Sequence, residues 1–301
     1  MASVNIKMKR TRNAELNRKK FQNEIQAYGF LAPTIILIAF FLVSPMVTGL
    51  IMSFYKTGLS GVTKFVGMQN YWLLLTEGRF LNNLRLSLIY VLGNIFLSLP
   101  LAYIMALLIT SKLRGATFLR GVFLLPWVVA PIVSAVLFRS LVDPTFGVIS
   151  LLIEKIAGQQ VVILADPIGA MVVVIIHSVW RSLPVMTLFL AAGMAMIPKE
   201  IYEAAMVDGA NKWVQFRAIT FPLTKIQLVI VLLTITLWTL QDAETVYAMT
   251  EGGPGYSTEV MAVRLFKESF INFDLNAGAT MGMLLLLVGL VFMILYTRLI
   301  D

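Results

Sequence analysis

Leu86-Ser-Leu-Ile-Tyr-Val-Leu-Gly-Asn-Ile-Phe-Leu-Ser-Leu-Pro-Leu-Ala-Tyr-Ile-Met-Ala-Leu-Leu-Ile-Thr110 runs for 25 residues without one charged side chain. As an α-helix it would be about 37 Å long, more than the roughly 30 Å hydrocarbon layer of a bilayer. Five windows of the same kind lie around it: Phe30 to Phe54, Gly121 to Phe138, Ile168 to Ala192, Ile226 to Thr245 and Ala277 to Thr297. Internal prolines (Pro33, Pro45, Pro100, Pro126, Pro131, Pro184) do not argue against helices here, because neighbouring helices and kinks satisfy the carbonyls they free. The expected fold is all-α, a polytopic membrane protein with six transmembrane helices.

Composition agrees. Of 301 residues, 58% are hydrophobic and 13% charged, and the mean hydropathy of +0.84 is more apolar surface than a soluble fold of this length can bury. There is no cysteine and one histidine, His177. That excludes disulfides and a zinc site built from nitrogen and sulfur. The first apolar window is a full span, so it is expected to remain as a signal anchor and not to be cleaved.

Charge sets the orientation. Lys7, Lys9, Arg10, Arg12, Arg18, Lys19 and Lys20 precede the first window and should hold that end in the cytoplasm. Alternating outward from there, 15 of the 24 cations fall inside, among them Lys112, Arg114, Arg120, Lys199, Lys212, Arg217, Lys225 and Arg298, and eight outside. Acids lean outward, with Asp242, Glu244, Glu251, Glu259, Glu268 and Asp274 among the outer set. Both termini are expected in the cytoplasm, residues 1–29 forming a basic tail and 30–301 the membrane domain. A net charge of +8 is read as a topogenic tail attracted to anionic lipid, with no nucleic-acid role.

One inner loop differs from the rest: Ile197-Pro-Lys-Glu-Ile-Tyr-Glu-Ala-Ala-Met-Val-Asp-Gly-Ala-Asn-Lys-Trp-Val-Gln-Phe-Arg-Ala-Ile-Thr-Phe-Pro222. It reads as two short helices. Pro198 suits a first turn, Gly209 a left-handed cap, and Asn211 the N-cap of the second helix. Ile201, Ala204, Ala205 and Asp208 share a face by helical spacing, with Glu203 on its flank. The small alanines leave that face low enough to be gripped, whereas a lipid-facing amphipathic helix would carry Leu or Phe there.

These residues resemble the permeases of ATP-binding-cassette importers, whose signature is Glu-Ala-Ala, three residues, Gly and a later Leu/Phe-Pro. This chain supplies Glu203, Ala204, Ala205, Gly209 and Phe221-Pro222. The resemblance implies a type I importer permease fold in which residues 197–222 hold a coupling helix, Glu203, Ala204, Ala205, Asp208 and Gly209 docking in a cytoplasmic ATPase dimer. The outer stretch Thr250-Glu-Gly-Gly-Pro-Gly-Tyr-Ser-Thr258, with Phe123 to Trp127 and Phe30 to Pro33, resembles the carbohydrate-uptake branch. It looks most like the first of two non-identical permeases for sugars, oligosaccharides or glycerol phosphate. The implied partners are a second permease, the ATPase dimer, an extracytoplasmic solute-binding protein and the bilayer of a bacterial cytoplasmic membrane. No Gly-rich Lys-Ser/Thr phosphate loop is present. ATP and Mg are therefore expected at the partner ATPase, with no cofactor on this chain and no enzymatic activity of its own.

The solute site is sought among polar residues inside spans, which are costly there and usually face the bundle interior. Trp180, Arg181 and Ser182 near the middle of the fourth window, and Trp238, Thr239 and Asp242 at similar depth in the fifth, are the candidates. The alternative is that Arg181 pairs with Asp242 or Glu244 and only locks two helices, the tryptophans packing against neighbours. His177 and Tyr103 are expected to be interior residues, and Asn94 to hydrogen-bond across helices with no function of its own. An importer for amino acids, peptides or phosphate would share the inner loop but not the Gly-Gly-Pro-Gly motif. A secondary transporter would need coupling-ion sites, and a membrane enzyme a catalytic cluster near the interface.

Overall fold

A computed structural model of the chain describes residues 29–57, 63–110, 121 and 123–299. The cations expected to orient the chain at Lys7 to Lys20, and Lys112, Arg114 and Arg120, lie outside the described residues. Contacts divide the chain into two units, residues 1–52 and 53–301.

The first unit is represented by helix α1 (Gly29–Ser53), which has none of its apolar window buried. Pro45 sits in it without breaking it. A proline ring clashes with the carbonyl four residues back, here Phe41, and that residue lies in a widened π turn, Ala39–Val43. The same device recurs later in the chain at Pro222, four residues after Ala218 in the π turn Phe216–Thr220.

The second unit opens on a hairpin, β1 (Tyr55–Thr57) and β2 (Thr63–Phe65), antiparallel with Lys56 opposite Lys64. The all-α expectation missed it, because strands of three residues are too short to carry a period. There follow α2 (Gln69–Thr76), α3 (Gly78–Thr110), α4 (Leu125–Val128), α5 (Pro131–Leu141), α6 (Val148–Ala157) and α7 (Pro167–Ala195). Then come α8 (Lys199–Val207), α9 (Lys212–Leu223), α10 (Lys225–Leu240), α11 (Glu244–Thr250), α12 (Met261–Phe266) and α13 (Leu275–Thr297).

Four helices, α1, α3, α7 and α13, are long and apolar enough to cross a membrane, and α9 with α10, bent by 68°, would make a fifth. The window Gly121 to Phe138 is not one helix. Ala130 is extended (ψ 136°) between α4 and α5, because the residue before a proline, here Pro131, is driven out of the helical region. The fifth window is also shorter than expected: α10 ends at Leu240 and the chain leaves the helix through Gln241 and Asp242.

One core is built on α3, α7 and α10, and another on α3, α5, α7, α11 and α12. Ala102 and Ala106 of α3 meet Met186, Leu190 and Met194 of α7 and Val231 and Ile235 of α10 at one end. Tyr90, Val174, Val179, Val246 and Val263 build the core at the other. Helices in lipid gain little from excluding water, so small residues and close approach hold them together. At Gly93 of α3 an added Cβ would stand 2.8 Å from Ile175 Cδ1 of α7. Gly93→Val is therefore expected to overpack this crossing and destabilise the chain by about 1–3 kcal/mol, read as a lower midpoint of thermal unfolding in detergent, with Gly93→Ala less affected.

Candidate functional site

Where α3, α7 and α10 converge, a cavity of about 330 Å³ opens. Its wall takes Asn94 from α3, Ser178, Arg181 and Ser182 from α7, and Ile235, Trp238 and Thr239 from α10. Helical spacing explains the selection: 178 and 182, and 235 and 239, are one turn apart on a single face. Gln241, Asp242 and Glu244 join them because α10 has ended, and Trp127 and Pro131 close the side at the break between α4 and α5.

Asn94 ties the three helices together. Its amide donates to Ser178 Oγ (2.8 Å) and Thr239 Oγ1 (2.9 Å), and its carbonyl accepts from Ser182 Oγ (3.1 Å). The cross-helix hydrogen bonding expected for Asn94 thus acquires a location, the cavity wall. Asp242 is equally committed. Tyr90 donates its hydroxyl at 2.7 Å, the Thr245 amide donates at 3.1 Å, and the Thr245 hydroxyl donates as well.

Arg181 is not so engaged. None of the ion pairs among the described residues includes it, although Asp242 and Glu244 line the same cavity. Its Nε is buried without a hydrogen-bond partner. Of the six solute-site candidates, Arg181, Ser182, Trp238, Thr239 and Asp242 come together. Trp180 does not line the cavity; its ring packs against Phe138 (5.4 Å) and His177 (6.3 Å).

The loop that carries Glu203, Ala204 and Ala205 follows the end of α7. From Arg181 to Ala195 the helix rises about 21 Å, and after Pro198 the chain starts α8. Pro198 is the cap and not the first helical residue. No residue of α8 is buried. Glu203, Ala204, Asp208 and Gly209 are exposed and Ala205 half-buried. Gly209 takes φ +84°, a left-handed conformation that costs any residue with a Cβ roughly 1–2 kcal/mol. Asn211 Oδ1 accepts from the Val214 amide (3.0 Å), capping α9, and Tyr202 and Thr220 hydroxyls meet at 3.0 Å. The loop is thus held in shape while its small-residue face stays uncovered.

A third cluster was not anticipated. The turn Thr250 to Thr258 has positive φ at Glu251, Gly252, Gly255 and Tyr256, and it delivers Glu259 into the interior with its side chain 0% exposed. Arg79 grips that carboxylate with two bonds of 2.8 and 2.9 Å, Asn83 donates at 3.1 Å and Lys267 at 3.2 Å. Arg79 also lies 4.3 Å over the Tyr256 ring. Beside it, Arg264 reaches Glu77 (2.5 Å) and Glu268 (3.5 Å). The clue available in the sequence was a glutamate four positions after Gly255 of the Gly-Gly-Pro-Gly turn; Arg79, 180 positions away, had none.

Together these features define a polytopic helical membrane protein with a polar cavity between its spans and a free helix at one end. A family model, described as "Binding-protein-dependent transport system inner membrane component", matches residues 73–301, and the chain belongs to that family. It is a transport permease and not an enzyme. The trehalose/maltose transport system permease protein MalF of Thermococcus litoralis is 28% identical over 94% of this chain and 96% of its own length. The sn-glycerol-3-phosphate transport system permease protein UgpA of Agrobacterium fabrum is 30% identical over 89% and 92%. The fold is also that of a bacterial alginate ABC transporter crystallised with an alginate pentasaccharide-bound periplasmic protein, at a TM-score of 0.80, 20% identity, and 93% and 95% coverage.

Proposed function

We propose that the chain is the transmembrane permease subunit of an ATP-driven, binding-protein-dependent importer, and that it moves a sugar, oligosaccharide or related polyol or glycerol-phosphate solute by alternating access. The likeness to permeases of trehalose/maltose and glycerol-phosphate systems supports that solute class. Partner subunits complete the machine: a second permease, an ATPase dimer that holds ATP and Mg, and an extracytoplasmic binding protein, as the alginate system has a periplasmic one. In this reading the chain crosses the cytoplasmic membrane six times, the pieces α4 and α5 forming the third crossing, with both termini inside.

The observation that carries the proposal is α8: a nine-residue helix with no buried residue, placed directly after the helix that bears Arg181. Glu203, Ala204, Ala205, Asp208 and Gly209 form its docking surface, and Glu203 pairs with a cation of the ATPase. A displacement of α8 then moves α7 as a rod and changes the cavity wall at its middle. Trp238, Thr239, Asp242, Arg181 and Ser182 hold the solute, and Trp180 supports the wall from behind.

The test is copurification. A coexpressed ATPase should follow the affinity-tagged permease, and the pair Glu203→Lys with Gly209→Val should remove it. Reversing a buried interfacial charge costs about 2–5 kcal/mol, on the order of 30-fold or more in affinity. An ATPase that still binds with unchanged affinity would disprove the docking role of α8.

A further inference from the structure

With the cavity taken as the solute site, a reading on which the inference depends, Arg181 says more about the solute than any other side chain of the lining. The neighbouring polar groups are already satisfied. Asn94, Ser178, Ser182 and Thr239 bond to one another, and Asp242 accepts from Tyr90 and Thr245. The guanidinium has no such partners: its Nε is buried and unbonded, and no ion pair among the described residues includes it. The other carboxylate of the lining, Glu244, is exposed in the first turn of α11. A cation set in the middle of an apolar helix with no carboxylate of the described residues within 4.0 Å is costly. A ligand that brings the missing acceptor removes that cost, and a planar guanidinium fits carboxylate, sulfonate and phosphate oxygens in pairs.

We propose that Arg181 receives an acidic group of the translocated solute, so that the cavity is built for an acidic sugar or acidic polyol in preference to a neutral one. The two indoles of the lining, Trp127 and Trp238, then face the hydroxylated body, and the volume of about 330 Å³ admits both parts.

The chain has no cysteine, so Gln241→Cys places a single reporter thiol in the lining. In the assembled transporter, with cysteine-free partner subunits in nanodiscs, the rate of maleimide labelling is measured against added glucuronate and glycerol 3-phosphate, and against glucose and glycerol. The acids should slow labelling at concentrations at least about tenfold below those of their neutral counterparts, Arg181→Gln should abolish that advantage, and Arg181→Lys should keep part of it. Equal protection by acids and neutral compounds overturns the proposal and leaves the cavity as the solute site. An acid preference that survives Arg181→Gln overturns it as well. Absence of protection by all four compounds overturns both the proposal and the cavity reading. Should Arg181→Gln fail to assemble, the comparison of acid with neutral in the parent and in Arg181→Lys still decides.

Discussion

Glu259→Ala should lower the stability of the folded chain by about 3–5 kcal/mol, the usual cost of removing one partner from a buried ionic cluster. The carboxylate is 0% exposed between Arg79 and Lys267, and its loss leaves those two cations without their carboxylate acceptor, while the Asn83 amide keeps its bond to the residue's backbone carbonyl. The measurement is the thermal unfolding midpoint and the yield of monodisperse protein in detergent. Glu251→Ala is the control, since Glu251 is exposed and its nearest cation, Arg139, stands 4.0 Å away; an exposed pair of that kind contributes about 0–1 kcal/mol. The pH dependence has a definite sign. Burial acts to raise the Glu259 pKa, but hydrogen bonds from Arg79 and Asn83, the Arg79 charge and Lys267 outweigh it, so the carboxyl is held below its ordinary value. A group with a depressed folded pKa contributes its stability above the unfolded value and loses it as pH falls through the folded one. The parent and Glu259→Gln should therefore differ at neutral pH and converge only below about pH 4.

Trp238→Ala should reduce solute uptake on the order of tenfold or more, with the assembled complex recovered in normal yield. The indole is 49% exposed and lines the cavity, so it contributes little to packing and has a free face to offer. Truncating such an aromatic anchor typically costs 2 kcal/mol or more, about 30-fold in affinity. Trp180→Phe should leave the concentration for half-maximal uptake within about twofold, because that ring lies against Phe138 and His177 and not in the lining. Equal effects of the two substitutions would refute the assignment of Trp238 to the cavity wall and Trp180 to its support.

Much of the site was legible because helices impose a short period. Arg181 and Ser182 stood out as polar residues in an apolar run, and Trp238 and Thr239 emerged from matching depth in the next window. Gly209 and Asn211 were readable because left-handed caps and N-caps have few suitable residue types, and both occupy those roles. The misplaced features share another origin. Whether a proline bends, breaks or is absorbed by a helix depends on its surroundings: Pro100 and Pro184 lie within continuous helices, Pro45 comes after a π turn, and Pro131 marks a break. All four lie in windows that read as apolar spans.

The sequence alone determined that this is a helical membrane protein with a small-residue loop at one face, because apolar length, charge asymmetry and cap chemistry are local properties that need no partner. Only the tertiary structure decided that Asn94 joins three helices, that Asp242 is spent on Tyr90 and Thr245 while Arg181 is left over, and that Glu259 is clasped by Arg79. Those facts concern which groups, up to 180 positions apart, satisfy one another. Hydrogen-bond capacity is a property of each residue, but whether it is spent is settled by packing.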